Sequence, residues 1–100
     1  MFILNITFKV SWPVYETWLD WLKLNWLPKM SNGQMQDVLM LRLLDVDESD
    51  GATFAIQFKV SSIALLEQLE QQWLQEGQEQ MHRVWGTECV HFATKMQVVP

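Results

Sequence analysis

Histidine and cysteine, which often serve as acid–base groups, nucleophiles and metal ligands, are scarce in this sequence. It contains two histidines, His82 and His91, and one cysteine, Cys89. The histidines lie on different predicted elements, and neither has a partner at His-x-x-x-His or Cys-x-x-Cys spacing, so we expect no metal site within one chain. Cys89 has no evident cationic neighbour in the sequence, which favours an ordinary buried thiol over a reactive one. These residues imply no cofactor.

An acidic segment resembles the first half of a calcium-binding loop, with oxygen-bearing side chains at Asp45, Asp47 and Ser49. The match fails at two positions that such a loop requires. Asp50 occupies the place of the glycine in the sharp turn, and Ile56 occupies the place of the bidentate glutamate. We therefore interpret this segment as a solvated hairpin turn.

Composition and charge exclude several classes of function. The 100 residues, expected to form a single domain over 1–100, carry 12 acidic against 7 basic side chains, a net charge of -5. The lysines are scattered singly, which argues against nucleic acid and against an anionic membrane surface. No apolar stretch approaches the length of about 20 residues that a spanning helix needs. The start, MFILNITFKV, lacks the features of a signal peptide, so we expect a cytoplasmic protein.

Hydrophobic periodicity predicts four strands. Alternation is clear in the first ten residues, again from Thr53 to Val60, and again from about Glu88 to Val99. In the segment from about Gln36 to Asp47, apolar residues occur at both odd and even positions, whereas a strand with one solvent-exposed face has them at alternate positions. Turn residues separate it from the following strand, so the two form a hairpin.

Two amphipathic helices are predicted between these strands. The first follows the opening strand, and Pro28 is expected to break or end it. The second begins at Ser61 or Ser62. Its middle, from Gln75 to Gln80, is polar on every side and contains Gly77, so we expect an exposed or bent stretch there. Six tryptophans fall mainly on the apolar stripes and are interpreted as core.

The order βαββαβ predicts a fold of the α+β class, the ferredoxin-like plait, with an antiparallel sheet in the order 4-1-3-2 and both helices on one face. The other face is then left uncovered. Three leucines on one strand there make an exposed apolar patch of a kind that soluble monomers rarely display. We select as a candidate ligand pocket or interface the following residues: Asn5, Leu39, Leu41, Leu43, Gln57, His91 and Lys95.

Scattered aromatic and apolar positions also resemble a known family. They lie in the opening MFILNITFKV, the helix YETWLDWLKLNWLPKM, the strand pair VLMLRLL and TFAIQFKV, and the closing HFATKMQVV. These segments are similar to a bacterial family of about 100-residue ferredoxin-like proteins of unknown function, and a shared fold by itself assigns no function. The resemblance implies a cytoplasmic ferredoxin-like protein and supplies no catalytic residues.

Two hypotheses follow for the uncovered face. In the first, two copies pack sheet to sheet, and the homodimer is a binding or regulatory module without catalytic activity. In the second, the protein is a small-molecule enzyme of the dimeric α+β barrel type, similar to the monooxygenases of that class. There His91 acts as acid or base and Asn5 orients the substrate. Interfaces and pockets share this composition, and only geometry separates them.

Overall fold

The computed structural model describes residues 1–30 and 37–100, which contain one four-stranded sheet. In chain order the strands are β1 (Phe2–Ser11), β2 (Val38–Arg42), β3 (Gly51–Val60) and β4 (Cys89–Gln97). β1 and β3 form where the sequence alternates most regularly, because alternate apolar side chains on a strand share one face. β2 is shorter than the segment predicted for it, and Gln36, the predicted start, lies outside the described residues.

Two helical regions lie between the strands, and each contains a π-helical turn. The first, α1, follows β1 and consists of three consecutive stretches: Tyr15–Trp21, the π-helical turn Leu22–Trp26, and Leu27–Met30. The second, α2, follows β3 and has the same pattern: Ile63–Gln72, the π-helical turn Trp73–Gly77, and Gln78–Trp85. In the described ranges, no helix combines the length and apolarity needed to cross a bilayer.

The sheet has the strand order β2-β3-β1-β4, and all three pairings are antiparallel. Read from the other edge, this is the predicted order 4-1-3-2. Connections of this kind place α1 and α2 on the same side of the sheet. The predicted ferredoxin-like plait is therefore confirmed.

The hydrophobic core lies between the sheet and the two helices. On β1 the residues Leu4, Ile6, Phe8 and Val10 are fully buried. The Phe8 ring is central: its centroid lies 5.4 Å from that of Trp18 on α1 and 5.5 Å from that of Trp73 on α2. Both helices therefore pack on the same aromatic side chain.

Pro28 neither breaks nor ends α1, contrary to expectation. A proline has no N–H to donate, and its ring clashes with the carbonyl of the residue four places earlier in a regular α-helix. In α1 the π-helical turn ends at Trp26, two residues before Pro28, and the Leu27 N–H donates to the Leu22 carbonyl. This wider turn moves the preceding carbonyls out of the α-helical register, and the helix continues to Met30.

The polar middle of α2 is mostly exposed, as predicted, and it contains a π-helical turn. Gly77 is the exception, because it is buried. A Cβ at Gly77 would collide with ring atoms of Trp73 on the same helix and of Trp26 on α1. Glycine is needed here because the two helices approach each other closely through these indoles.

Candidate functional site

The side of the sheet away from the helices carries the candidate site. Residues directly opposite each other in an antiparallel ladder point to the same side, so the register assigns every strand residue to a face. We call this side the open face. Its strand residues are Ile3, Asn5, Thr7, Lys9, Ser11, Leu39, Leu41, Gly51, Thr53, Ala55, Gln57, Lys59, Val90, Phe92, Thr94 and Met96.

The middle of the open face is polar. The Asn5 side-chain amide donates to the Thr7 hydroxyl at 3.1 Å, and the Gln57 amide donates to the Asn5 side-chain oxygen at 3.3 Å. We call Asn5, Thr7 and Gln57 the polar centre. These hydrogen bonds hold the side chains along the sheet surface, and Asn5 is only 8% exposed although no helix covers it.

Exposed apolar side chains lie on both sides of the polar centre. On the β2 side they are Leu39 and Leu41, and on the β4 side they are Val90, Phe92 and Met96. We call these five residues the apolar flanks. Leu39 is 57% exposed and Phe92 is 63% exposed. Because both flanks are on outer strands, the open face has apolar margins around a polar middle.

The strand residues of the open face carry a net positive charge, opposite in sign to that of the whole chain. None of the four strands contains an aspartate or glutamate. Lys9 and Lys59 lie near opposite ends of the face. Hydrogen bonds from Ser49 and, to a smaller extent, the charge of Lys9 lower the pKa of Asp47, so Lys9 has an acidic neighbour.

Of the seven residues that the sequence selected, the structure brings four together on the open face: Asn5, Leu39, Leu41 and Gln57. Leu43 lies just beyond the end of β2 and is half-buried. Its backbone N–H donates to the Thr53 carbonyl at 2.9 Å, which extends the β2–β3 pairing by one step.

The placement of His91 and Lys95 on the uncovered face was wrong. His91 pairs with Phe8 and Lys95 pairs with Leu4, so both point to the helix side. The Lys95 ammonium forms an ion pair at 3.2 Å with Glu70 of α2, which agrees with this side. A shift of one residue in strand parity exchanges every side chain between the two faces.

Sequence reasoning missed the β4 residues that do lie on the open face: Val90, Phe92, Thr94 and Met96. His91 and Lys95, which have the opposite parity in this strand, were selected instead. The uncovered leucines of β2 were the available signal, since a face that is apolar on one outer strand can be apolar on the other.

His91 occupies an aromatic environment on the helix side. Its ring centroid lies 5.0 Å from that of Trp73 and 6.3 Å from that of Phe8. Burial, and secondarily the charge of His82, lower the pKa of His91 below its ordinary value of 6.5. The imidazole is therefore mainly neutral at pH 7, packed as an aromatic side chain on the opposite side of the sheet from the polar centre.

The Cys89 thiol is buried on the helix side of β4. Burial raises its pKa to about 12. A nucleophilic cysteine reacts as the thiolate, and this group remains a thiol at neutral pH. Cys89 therefore contributes packing to the core.

The acidic segment forms the connection between β2 and β3. The Ser49 backbone N–H donates to the Asp47 carboxylate at 2.9 Å, and the Arg42 guanidinium donates to the Glu48 carboxylate at 2.9 Å. Asp45 has a φ of 58°, a left-handed conformation that aspartate tolerates in turns. The carboxylates of Asp47 and Glu48 are thus used within the loop.

Comparison with known proteins identifies a family and a fold. The chain matches the family model described as Domain of unknown function (DUF4286) over residues 1–99. The crystal structure of a dimeric ferredoxin-like protein from an uncultured marine organism is similar, with a TM-score of 0.70 and 13% sequence identity, covering 99% of this chain and 95% of that chain. At this identity the likeness shows the ferredoxin-like fold alone. No curated protein matches the chain.

Proposed function

Since the chain belongs to the DUF4286 family, whose function is unknown, its activity must be inferred from its own geometry, and we propose that it functions as a homodimer closed through the open face. The observation that carries this proposal is the exposure of the apolar flanks on both outer strands. Large exposed apolar patches on a folded domain mark interaction sites. A second copy brings a matching set of flanks, because a twofold interface uses the same surface on both partners.

The open face is large enough for a stable interface. Its strands contain 10, 5, 10 and 9 residues in chain order. With about 3.3 Å per residue and about 4.8 Å between strands, the face has a footprint of about 500 Å² per copy. When each face is treated as flat, two copies together bury an area of about 1,000 Å². This equals the lower limit of about 1,000 Å² for a specific interface.

Two further observations support a homodimer. The ferredoxin-like structural neighbour is described as dimeric. The four strands also contain no aspartate or glutamate, and the acidic helix α2, with four glutamates against one arginine, lies on the other side of the sheet from the contact. The resulting protein is a cytoplasmic binding or regulatory module of single-domain subunits, and it has no catalytic role of its own.

The enzyme hypothesis requires His91 to act as an acid or base at the open face, and His91 does not lie on that face. Because His91 and Asn5 are on opposite faces of the sheet, they do not both contact a substrate bound at the open face. The polar centre of neutral amide and hydroxyl groups suits binding better than proton transfer, because none of these groups titrates near neutral pH.

The proposal is tested by measuring oligomeric state with single-residue variants. Sedimentation velocity at micromolar concentration should give a dimer for the wild-type protein. Phe92→Asp places a carboxylate in a flank and should give a monomer, because burying an unpaired charge is costly. Leu24→Asp is the matched control, since Leu24 on α1 is 73% exposed and lies away from the open face; this variant should remain dimeric.

Two results would overturn the proposal. One is a wild-type monomer at micromolar concentration. The other is a Phe92→Asp variant that remains a dimer with the wild-type sedimentation coefficient, because the contact would then lie elsewhere on the molecule.

A further inference from the structure

The arrangement of polar and apolar side chains on the open face is the reverse of that in a usual protein interface. Interfaces generally have an apolar core and a polar rim. Here the polar centre is in the middle and the apolar flanks are at the margins. Lateral hydrogen bonds from Asn5 to Thr7 and from Gln57 to Asn5 keep the centre low, while the leucine and phenylalanine side chains of the flanks project outward. The face is therefore a trough that runs along β1 and β3.

A trough of this shape leaves space when two copies close. Packed sheets lie about 10 Å apart, and side chains normally fill that distance. The flanks carry large exposed apolar side chains, whereas the middle of the face contributes Ala55 and the side chains of the polar centre, which are hydrogen-bonded to one another along the sheet. A chamber forms over the polar centre, with its floor from one copy and its roof from the other. The partner copy is thus part of the site.

The charge at one end of the trough indicates what the chamber holds. Lys59 is two residues from Gln57 on the same face, a separation of about 7 Å along a strand. Within the described residues Lys59 has no ion-pair partner, and no strand residue offers it a carboxylate. The Gln57 amide has two N–H groups and gives one to Asn5, which leaves one to donate. A cation beside a free N–H donor suits an anionic oxygen group.

We propose that the dimer encloses a small amphipathic carboxylate, a ligand with one carboxylate and an unbranched or aromatic apolar body. The carboxylate binds the Lys59 ammonium and the Gln57 amide, and the apolar body lies along the trough between the flanks of both copies. An enclosed chamber admits a free molecule and not a bilayer surface. This inference rests on the proposed homodimer.

Calorimetric titration with decanoate tests the inference, with sedimentation of the same preparation as a separate measure of the dimer. Decanoate should bind the wild-type dimer. Decyltrimethylammonium, which has the same chain and the opposite charge, should bind at least tenfold more weakly. Lys59→Met should weaken decanoate binding at least tenfold, and Gln57→Leu should weaken it as well. The control Lys23→Met removes an exposed lysine of α1 and should leave binding unchanged.

The outcomes separate this inference from the proposed function. A dimer that binds neither probe, that binds both equally, or that binds decanoate unchanged after Lys59→Met refutes the carboxylate site and leaves the homodimer standing. A monomer in sedimentation refutes the homodimer and the chamber together.

Discussion

Replacing Gly77 by alanine gives opposite predictions from the sequence and from the structure. In an ordinary helix, alanine is more stable than glycine by about 1 kcal/mol. In the structure, however, the added methyl group would collide with the indole rings of Trp73 and Trp26. Both rings are almost completely buried among other aromatic side chains, so they have little room to move.

The expected size of the effect follows from these two contributions. Overpacking a filled core costs about 1–3 kcal/mol, and contact with two immobile rings places this site near the upper limit. Subtracting the helix-propensity gain of about 1 kcal/mol leaves a net loss of about 2 kcal/mol in the free energy of unfolding. The sign of the change therefore decides between the two predictions.

Urea denaturation at one fixed protein concentration measures this change, because the unfolding of the proposed dimer would depend on protomer concentration. Glu79→Ala, at an exposed position of α2, is the control and should change the free energy by less than about 0.5 kcal/mol. In a Trp26→Phe background, where the smaller ring leaves space, Gly77→Ala should cost at least about 1 kcal/mol less than in the wild type. A Gly77→Ala protein as stable as the wild type, or more stable, would refute the close packing described for the two helices.

Three further predictions concern single side chains. Because burial lowers the pKa of folded His91, the unfolded chain takes up the proton first, and the free energy of unfolding should fall as the pH drops below the ordinary value of 6.5. An equal decline in His91→Gln, measured by urea midpoints between about pH 7.5 and pH 5.5, would contradict this. The Cys89 thiol, with its pKa raised to about 12, should label slowly with a disulfide reagent in native protein and rapidly in urea; rapid native labelling would show that it is accessible. Ser62→Ala removes the side-chain acceptor of the Leu65 N–H at the start of α2 and should cost about 1 kcal/mol by urea denaturation, whereas an unchanged midpoint would mean that this cap contributes nothing.

The order of elements was predictable because it depends on local patterns. β1 and β3 alternate cleanly, and Ser62 begins α2 by accepting the Leu65 N–H as its position suggested. Together with the preference for right-handed crossovers, these patterns were sufficient for the sheet order. They were also sufficient for the open-face positions of Asn5, Gln57, Leu39 and Leu41.

The face assignment of β4 was not predictable from its own residues. In β4 the larger apolar residues point to the open face, which was expected to be exposed to solvent. The usual rule is that the apolar residues of a strand point to the core. His91 and Lys95 are polar, yet one packs on Trp73 and the other pairs with Glu70 on the helix side. Only the register with β1, set by contacts far apart in sequence, settles such a case.

The π-helical turns were also beyond sequence reasoning, although Pro28 and Gly77 marked their positions. Both residues suggested a weakened helix when considered singly. The role of each residue depends on the other helix. Trp26, in the π-helical turn before Pro28, packs in the space that Gly77 leaves on α2. Tertiary contact of this kind overrides intrinsic helix propensity.

The packing of the tryptophans gives the protein a collective optical property. Ring centroids are separated by 5.3 Å between Trp85 and Trp21, by 5.9 Å between Trp21 and Trp26, and by 5.0 Å between Trp26 and Trp73. These four indoles form a continuous path from the end of α2 through α1 and back to the middle of α2. Excitation absorbed by one ring passes readily to the next at such separations. The contribution of these four indoles to the near-ultraviolet circular dichroism and emission should therefore report the relative position of two helices rather than the surroundings of one residue.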